Sequence, residues 1–325
     1  MQAVRVHEPG RPSALQYETA PDPTAGPGEV VVELCAAALN RRDTLVRSGV
    51  YDFPLPLVPG SDGAGVVRGT GEEVVLLPGL RWGDREDAPG EGFGILGGPE
   101  DGTYAELVKV PAENVFPKPA RLSWTDAAAF PLACLTAYRA LFTRGRVKAD
   151  DTVLILGAGS GVSTFAVPLA VQALARVFVT SSSAEKIDRA RELGAAGGVD
   201  YRSEDWPEAV RDLAGGGVDV VLDSVGSTWP GALRCLRPGG RVVAFGATGA
   251  ETVELQVRPF YLTHLSLLGS TLGSPREFAL VLRAVNEGRW MPVVDSVLPL
   301  SEAVAAHERM EAGDHFGKLV LAIRD

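Results

Sequence analysis

Apolar residues along this chain follow two different rhythms, and the change comes near residue 120. Upstream of it the pattern alternates or gathers into short β-branched runs. Residues 1–7 alternate, residues 29–36 form a β-branched run and residues 62–68 form another. Pro and Gly punctuate the gaps, as in Pro21-Asp-Pro-Thr-Ala-Gly-Pro-Gly28, and residues 83–102 are crowded with Gly, Asp, Glu and Pro. This predicts a β-rich domain with one long loop. From Ser123, a candidate N-cap, the spacing turns helical and continues past Pro131 through residues 127–141. Strands then alternate with helices. Strands are expected at 152–156, 176–180, near Val199, at 218–223, 241–246 and 265–270. Helices are expected at 184–193, near 207–213, and in a segment ending at Leu236. Such alternation predicts a parallel sheet with right-handed crossovers. Beyond Thr271 the pattern gives helices at 275–287 and near 301–312, then a strand at 318–323. There is no internal repeat and no low-complexity segment.

The stretch Asp151-Thr-Val-Leu-Ile-Leu-Gly-Ala-Gly-Ser-Gly-Val-Ser163 is the centre of this organisation. A short buried strand ends at a glycine turn. After it Val162, Phe165, Ala166, Leu169, Ala170, Ala173 and Leu174 repeat with helical spacing. Strand, glycine turn, helix and strand make the unit that binds a dinucleotide. Gly157 and Gly159 permit a tight turn, and the amides of Ser160, Gly161 and Val162 at the helix start can take a pyrophosphate. Ser163 stands where the fingerprint has its last glycine and is small enough for close packing. Pro168 removes one backbone bond beyond the phosphate-binding turn.

Composition acts mainly by exclusion. Of 325 residues, 46% are hydrophobic and 22% charged, ordinary values for a globular protein of about two domains. No apolar run approaches the roughly 20 residues needed to span a bilayer, and no signal peptide opens the chain. The three cysteines, Cys35, Cys134 and Cys235, are far apart and form no CxxC pattern, so a reducing compartment, the cytoplasm, is expected. A formal net charge of −10 argues against a nucleic-acid surface. The expected partners are a small-molecule substrate and a second copy of the chain. The apolar segment 264–273 reads as an edge strand, and such an edge is normally paired or covered.

Several further stretches carry a family resemblance. They are Leu39-Asn40 through Asp43, Arg47-Ser-Gly49 and Tyr51; Pro59-Gly-Ser-Asp-Gly-Ala-Gly-Val-Val67; Gly102-Thr-Tyr-Ala-Glu106; Pro131-Leu-Ala-Cys-Leu-Thr-Ala-Tyr138; residues 219–226; and Pro238-Gly-Gly-Arg-Val-Val243. In order and spacing they resemble the medium-chain dehydrogenase/reductase superfamily, in its zinc-independent quinone oxidoreductase-like branch. The resemblance implies an α/β protein: a GroES-like β-rich catalytic domain plus a Rossmann doubly wound parallel sheet. Residues 1–122 and 271–325 would form the first, and residues 123–270 the second, NADPH-binding one. Relatives pair their last sheet strand across a two-fold axis, which implies a homodimer.

Zinc alcohol dehydrogenases of the superfamily hold catalytic zinc with a Cys, a His and a second Cys or carboxylate. The resemblance puts Asn40, Ser61 and Leu132 at those positions, and none is a normal zinc ligand. The loop 83–102, where the structural zinc lobe would lie, contains no cysteine. His7, His264, His307 and His315 are scattered and read as surface or satisfied histidines. Both metal sites are therefore expected to be absent.

Cofactor choice is read at the end of the second strand, where NAD-specific members carry an acidic residue. Here the sequence is Thr180-Ser181-Ser182-Ser183-Ala-Glu-Lys186. Hydroxyls and an ammonium suit a 2′-phosphate, which favours NADPH. Quinone reductases resemble this stretch, with a lysine here and a tyrosine fifteen residues on, the place of Tyr201. The alternative is that Ser183 only caps a helix and Lys186 is solvated. Residues 245–248 and 269–270 end strands at the carboxyl edge, where ligands bind; Ser224, Phe245, Gly246, Thr248 and Ser270 complete the cofactor set. Asn40, Asp43, Arg47 and Tyr51 match positions lining the substrate space of related reductases, and Thr136 matches a threonine beside the nicotinamide ring. Asn40, Tyr51 and Thr136 are the catalytic candidates. Asp43 and Arg47 are equally well read as a buried ion pair, and Cys134 as packing. The function expected is metal-free hydride transfer from NADPH to a quinone or an α,β-unsaturated carbonyl. The alternatives are an alcohol dehydrogenase and a non-catalytic NADPH-binding protein.

Overall fold

A computed structural model describes residues 1–324 of the chain. It divides into two compact units, Met1–Leu135 with Ser274–Asp325, and Thr136–Gly273.

The second unit is built on a six-stranded, all-parallel sheet of Thr152–Ile155, Arg176–Ser181, Gly197–Asp200, Val218–Asp223, Leu236–Ala244 and Ser266–Gly269. The third of these lies at one edge, followed by the second, first, fourth, fifth and sixth. This doubly wound order reverses between Thr152–Ile155 and Val218–Asp223, and the crevice at such a reversal is where ligands bind. Val153, Leu154, Ile155, Val220, Val221 and Leu222 are buried on both faces, which is why these strands read as unbroken apolar runs. One strand starts earlier than its sequence pattern suggests. The chain pairs Val218 with Leu236, then Val220 with Arg241, so a bulge absorbs Arg237 to Gly240 within the strand. The helix Gly161–Gln172 runs on through Pro168. At the outer edge, among the described residues, Ser266–Gly269 pairs only with Leu236–Ala244. Beside it in sequence, the short helix Val257–Leu262 exposes Val257, Tyr261 and Leu262.

The first unit carries a seven-stranded sheet centred on Glu29–Ala38, the longest strand. Asp62–Val67 and Leu107–Pro111 pair with it antiparallel, and so does Lys318–Ala322, bringing a distant segment against it. The buried side chains of Ala3, Val4, Leu39, Tyr104, Leu319 and Leu321 form one core cluster of this unit. Val32, Leu34, Val67, Val74 and Val108 form another.

Several elements here were not visible in the hydrophobic pattern. Arg41–Ser48 is a helix although its sequence, RRDTLVRS, has no apolar stripe. Its start is fixed when the Asp43 carboxylate accepts the Asn40 backbone N–H at 2.8 Å, and its end by Gly49 at φ +80°. Leu15–Thr19, Glu73–Leu76 and Val294–Pro299 are further strands, and the last flanks Lys318–Ala322 in parallel. The expected helix at 127–141 is broken in two, Trp124–Ala129 and Pro131–Tyr138, with Pro131, which lacks a backbone N–H, at the first position of the second. Ser123 does cap the first of these, its hydroxyl accepting the Asp126 N–H at 3.1 Å. Among the described residues no helix is long and apolar enough to cross a membrane.

Candidate active site

Asn40 lies just beyond the central strand Glu29–Ala38 of the first unit and caps the helix Arg41–Ser48, so its side chain is held between the two elements. Its amide Nδ2 donates to Asp62 Oδ2 at 2.9 Å, and its Oδ1 accepts from Lys318 Nζ at 2.6 Å. The same ammonium donates to Leu39 O at 2.6 Å and reaches Asp62 Oδ2 at 3.2 Å. Asp62 Oδ1 in turn accepts the backbone N–H of Leu132 at 2.8 Å. Asp62 and Lys318 are both buried, an arrangement that costs free energy unless the charges are paired and hydrogen-bonded, as these are.

A second buried group sits one turn along. Asp43 takes the Asn40 N–H, the Tyr104 hydroxyl at 3.0 Å and, at a long 3.5 Å, the Ser61 hydroxyl. Ser61 makes its better bond, 2.8 Å, to Leu96 O. Asp43 and Arg47 do not form the ion pair that their spacing suggested. Arg47 points instead to Glu311, to Gly10 O at 3.1 Å and to His307 Nδ1 at 3.5 Å. His307 is fully buried, edge-on to the Tyr104 ring, and its Nε2 has no hydrogen-bond partner among the described residues. The expectation of a surface or satisfied histidine fails there.

Tyr51 is 41% exposed and stacks on Phe53, with ring centroids 5.8 Å apart. The Arg42 guanidinium lies 5.7 Å from both rings and donates to the carbonyls of Gly98, Leu96 and Gly97. It thereby ties the loop 83–102 to Arg41–Ser48. Pro9, Val46, Gly49, Tyr51, Phe53 and Leu55 line a groove at this place.

In the second unit, Thr136 is buried on the helix Pro131–Tyr138. Cys134, also buried, has its thiol pushed well above its ordinary value by desolvation, which makes it packing rather than a nucleophile. Gly157 and Gly159 adopt φ +81° and +93°. A Cβ on Gly157 would meet no atom within 4 Å, so the left-handed backbone, not crowding, calls for glycine there. The turn is held by Thr180, which accepts from Gly157 N through its hydroxyl at 3.2 Å and from Ala158 N through its carbonyl at 2.7 Å. Ser160 caps the next helix by accepting the Ser163 N–H at 3.1 Å, leaving Ser160, Gly161 and Val162 partly exposed at the helix start.

Around the end of the second strand, Ser181 is buried, Ser182 exposed, and Ser183 and Lys186 half-buried. Ser183 does cap the helix Ala184–Glu192, accepting the Lys186 N–H at 3.3 Å, but its hydroxyl proton is still available to a ligand. Tyr201 is exposed, next to an Arg202 that pairs with Asp200. Ser224, Phe245, Gly246 and Thr248 come together: Thr248 N donates to Ser224 O at 3.2 Å, and a Cβ on Gly246 would stand 2.8 Å from that same carbonyl. Ser270 N donates to Ala244 O at 2.8 Å, beside Phe245 in the chain. Asp223, missed by the sequence pattern, anchors this corner by accepting from Val225 N and Thr228 Oγ1.

Residues 26–120 match the family model described as alcohol dehydrogenase GroES-like domain, and residues 161–287 the one described as zinc-binding dehydrogenase. A zinc-type alcohol dehydrogenase-like protein of Schizosaccharomyces pombe is 35% identical, over 91% of each chain. A quinone oxidoreductase of Rattus norvegicus is 29% identical over 99% of this chain and 98% of its own. Among solved structures, an NAD-dependent alcohol dehydrogenase superposes with a TM-score of 0.94 at 41% identity, covering 99% and 100% of the two chains. A mycobacterial protein complexed with NADPH gives 0.87 at 29% identity, over 99% and 100%.

Zinc, implied by one of these descriptions, does not fit the residues here. The Leu132 side chain has no donor atom, and its backbone N–H, which faces Asp62 Oδ1, has the wrong polarity for a metal. The Asn40 oxygen and the Asp62 carboxylate already hold an ammonium, and a neutral Ser61 hydroxyl faces a carbonyl.

The two buried titratable groups beside this network pull stability in opposite directions with pH. Burial pushes the Asp43 carboxyl up from 3.8 to about 6, against the opposing pull of its hydrogen bonds and of Arg42 and Lys318. The folded protein therefore keeps a proton between roughly pH 4 and 6 that the unfolded chain has released, and this group makes stability fall as pH rises through that window. Burial, then the nearby Arg47, pushes His307 down to about 3. The unfolded chain takes up a proton below its ordinary 6.5 that the folded protein refuses, so His307 makes stability rise with pH from about 3 to 6.5. Asp43→Asn should leave the His307 slope unopposed, steepening the rise in urea-unfolding free energy between pH 4 and 6 by up to about 3 kcal/mol. His307→Gln should shift that free energy the other way, lowering its slope over the same range relative to the wild type. Parallel pH profiles for the wild type and both variants would show that neither group is perturbed by folding.

Proposed function

Because the chain belongs to the medium-chain dehydrogenase/reductase superfamily, and is an oxidoreductase of it, we propose that it reduces quinones or α,β-unsaturated carbonyls with NADPH and without a metal. The observation that carries this reading is the donor set at residues 40, 61 and 132, where an amide, a hydroxyl and an apolar side chain replace the ligands of a Lewis acid. An isolated ketone or aldehyde needs strong stabilisation of its developing alkoxide, a contribution typically worth several kcal/mol of barrier. A quinone or enone spreads that charge over a conjugated system, so hydrogen bonds and positioning suffice.

The bound nicotinamide supplies the hydride. In this reading the left-handed turn at Gly157 and Gly159 and the amides of Ser160, Gly161 and Val162 hold the pyrophosphate. Ser182, Ser183, Lys186 and Tyr201 face the 2′-phosphate, supported by Thr180 and Ser181. Ser224, Phe245, Gly246, Thr248 and Ser270 line the remainder of the cofactor, with Thr136 beside the ring. Asn40, through its Nδ2–H, and Tyr51, through its hydroxyl, bind the oxygen on which charge develops, and solvent delivers the proton that completes the reduction. The protein works in the cytoplasm as a homodimer. The open edge at Ser266–Gly269 and the apolar side chains exposed on Val257–Leu262 support pairing through the cofactor unit.

The competing reading is an NAD-dependent alcohol dehydrogenase, the activity that names the 41% identical structure. It reverses both expectations. A screen of NADPH oxidation over quinones, enals and enones should find turnover, with alcohols oxidised far more slowly. Faster oxidation of ethanol or benzyl alcohol than reduction of any acceptor would reject the proposal, and no turnover at all would favour a binding role. Calorimetric titration should give NADPH at least about tenfold the affinity of NADH, a difference of about 1.4 kcal/mol. Lys186→Ala should erase most of it, and an unchanged preference would remove Lys186 from the cofactor set. Light scattering at micromolar concentration should report a dimer. Leu268→Lys, which puts a charge on the open edge, should shift it toward monomer, and a monomeric wild type would dismiss the pairing.

A further inference from the structure

Lys318 is an anomaly by its sequence context. It opens the strand Lys318–Ala322, whose other members are apolar, and it is 2% exposed. A lysine so placed normally turns its ammonium to water, and this one does not. Gly317 explains how it is held. At φ +106° its position tolerates no side chain, since a Cβ would stand 2.2 Å from Val293 O, and the following Lys318 N–H donates to that same carbonyl at 2.8 Å. The backbone beyond is fastened by Leu39 N donating to Leu319 O at 2.9 Å. Both attachments aim the lysine stem at the end of the central strand, where Asn40 lies.

The ammonium has three protons and three acceptors: Leu39 O, Asn40 Oδ1 and Asp62 Oδ2. An ammonium only donates, so the Asn40 atom that faces it must be oxygen. The amide is thereby locked in one of its two orientations, with Nδ2 toward Asp62. One Nδ2 hydrogen is used there. The other has no protein partner among the described residues, and Asn40 remains 7% exposed. A cation bonded to the oxygen of an amide also polarises it and strengthens its N–H as a donor, the more so where water is excluded.

We propose that Lys318 is the positioning residue of the active site. It fixes the direction of the free Asn40 N–H and relays positive charge through the amide to the substrate oxygen, a protonic substitute for the metal that relatives of the zinc type place there. This rests on the reading of Asn40 as the oxygen-binding group.

The test uses the full-length protein loaded with NADPH and the best acceptor from the screen. Lys318→Met alone buries an unpaired Asp62, so the pair Lys318→Met/Asp62→Asn is made beside it to keep the core neutral, and folding is checked by circular dichroism. The pair should lower kcat at least tenfold while the Kd for NADPH stays within twofold. Asn40→Ala should cost as much, and adding Asn40→Ala to the pair should cost less than a further threefold, because the lysine acts through the amide. Full turnover in the pair while Asn40→Ala is impaired would overturn the role of Lys318 and leave that of Asn40 standing. Full turnover in Asn40→Ala would overturn both. A readout independent of turnover is the side-chain amide resonance of Asn40. Its protons should move upfield in the pair as the cation is lost, and an unmoved resonance would overturn the inference even if no acceptor were reduced.

Discussion

A buried ammonium must find acceptors, and the β-rich unit is arranged so that it does. Lys318, Asp62 and Asn40 come from three strands or strand ends that share one sheet, and Leu39 contributes a carbonyl from the same corner. Removing any one of these groups leaves another charged or polar atom buried without its partner, which is more costly than never having buried it. Interlocking of this kind fixes side-chain direction more firmly than apolar packing does. Leu132 joins this network through its main chain. Its backbone N–H donates to the second oxygen of Asp62, so the main chain does what its side chain cannot.

A second device shares this corner without being part of the first. Asp43 belongs to the helix cap, yet its two oxygens also collect Tyr104 and Ser61, and so join three segments of the chain. Arg42 performs the same service for the loop 83–102 by donating to a row of carbonyls. Arg42 also sets its guanidinium against the rings of Tyr51 and Phe53, two of the residues that line the groove.

What the sequence could disclose follows from range. Runs such as Val218 to Asp223, and the glycine turn after Leu156, carry their structure within a few residues, and strand, turn and helix are legible there. The Ser123 cap was legible for the same reason. The break at Pro131 was a local signal too, but helical spacing on both sides of it concealed the interruption. The helix Arg41–Ser48 was not legible, because its stability comes from capping and from burial of Asp43 and Arg47 rather than from an apolar stripe. The expected Asp43–Arg47 pair failed for a related reason. Four-residue spacing on a helix allows such a contact, and Glu311 and His307, supplied from over 250 positions away, took the arginine instead. Lys318 left one trace, a lone cation opening an apolar run, with no indication of which acceptors would meet it.

The pairing of Lys318–Ala322 with Glu29–Ala38 also orders events in time. Asn40 and Lys318 are 278 positions apart, and the whole of Thr136–Gly273 is synthesised between them. On a ribosome that contiguous stretch emerges with all its strands in hand and can fold while elongation continues. The β-rich unit has no such freedom. Its central strand waits with one flank uncovered, and Asp62 waits without its counter-charge, until residues 318–322 are released from the exit tunnel. The corner around Asn40 is therefore completed only after Thr136–Gly273 has been synthesised, and a nascent chain stalled short of residue 318 holds all the strands of the parallel-sheet unit while its β-rich unit is unfinished.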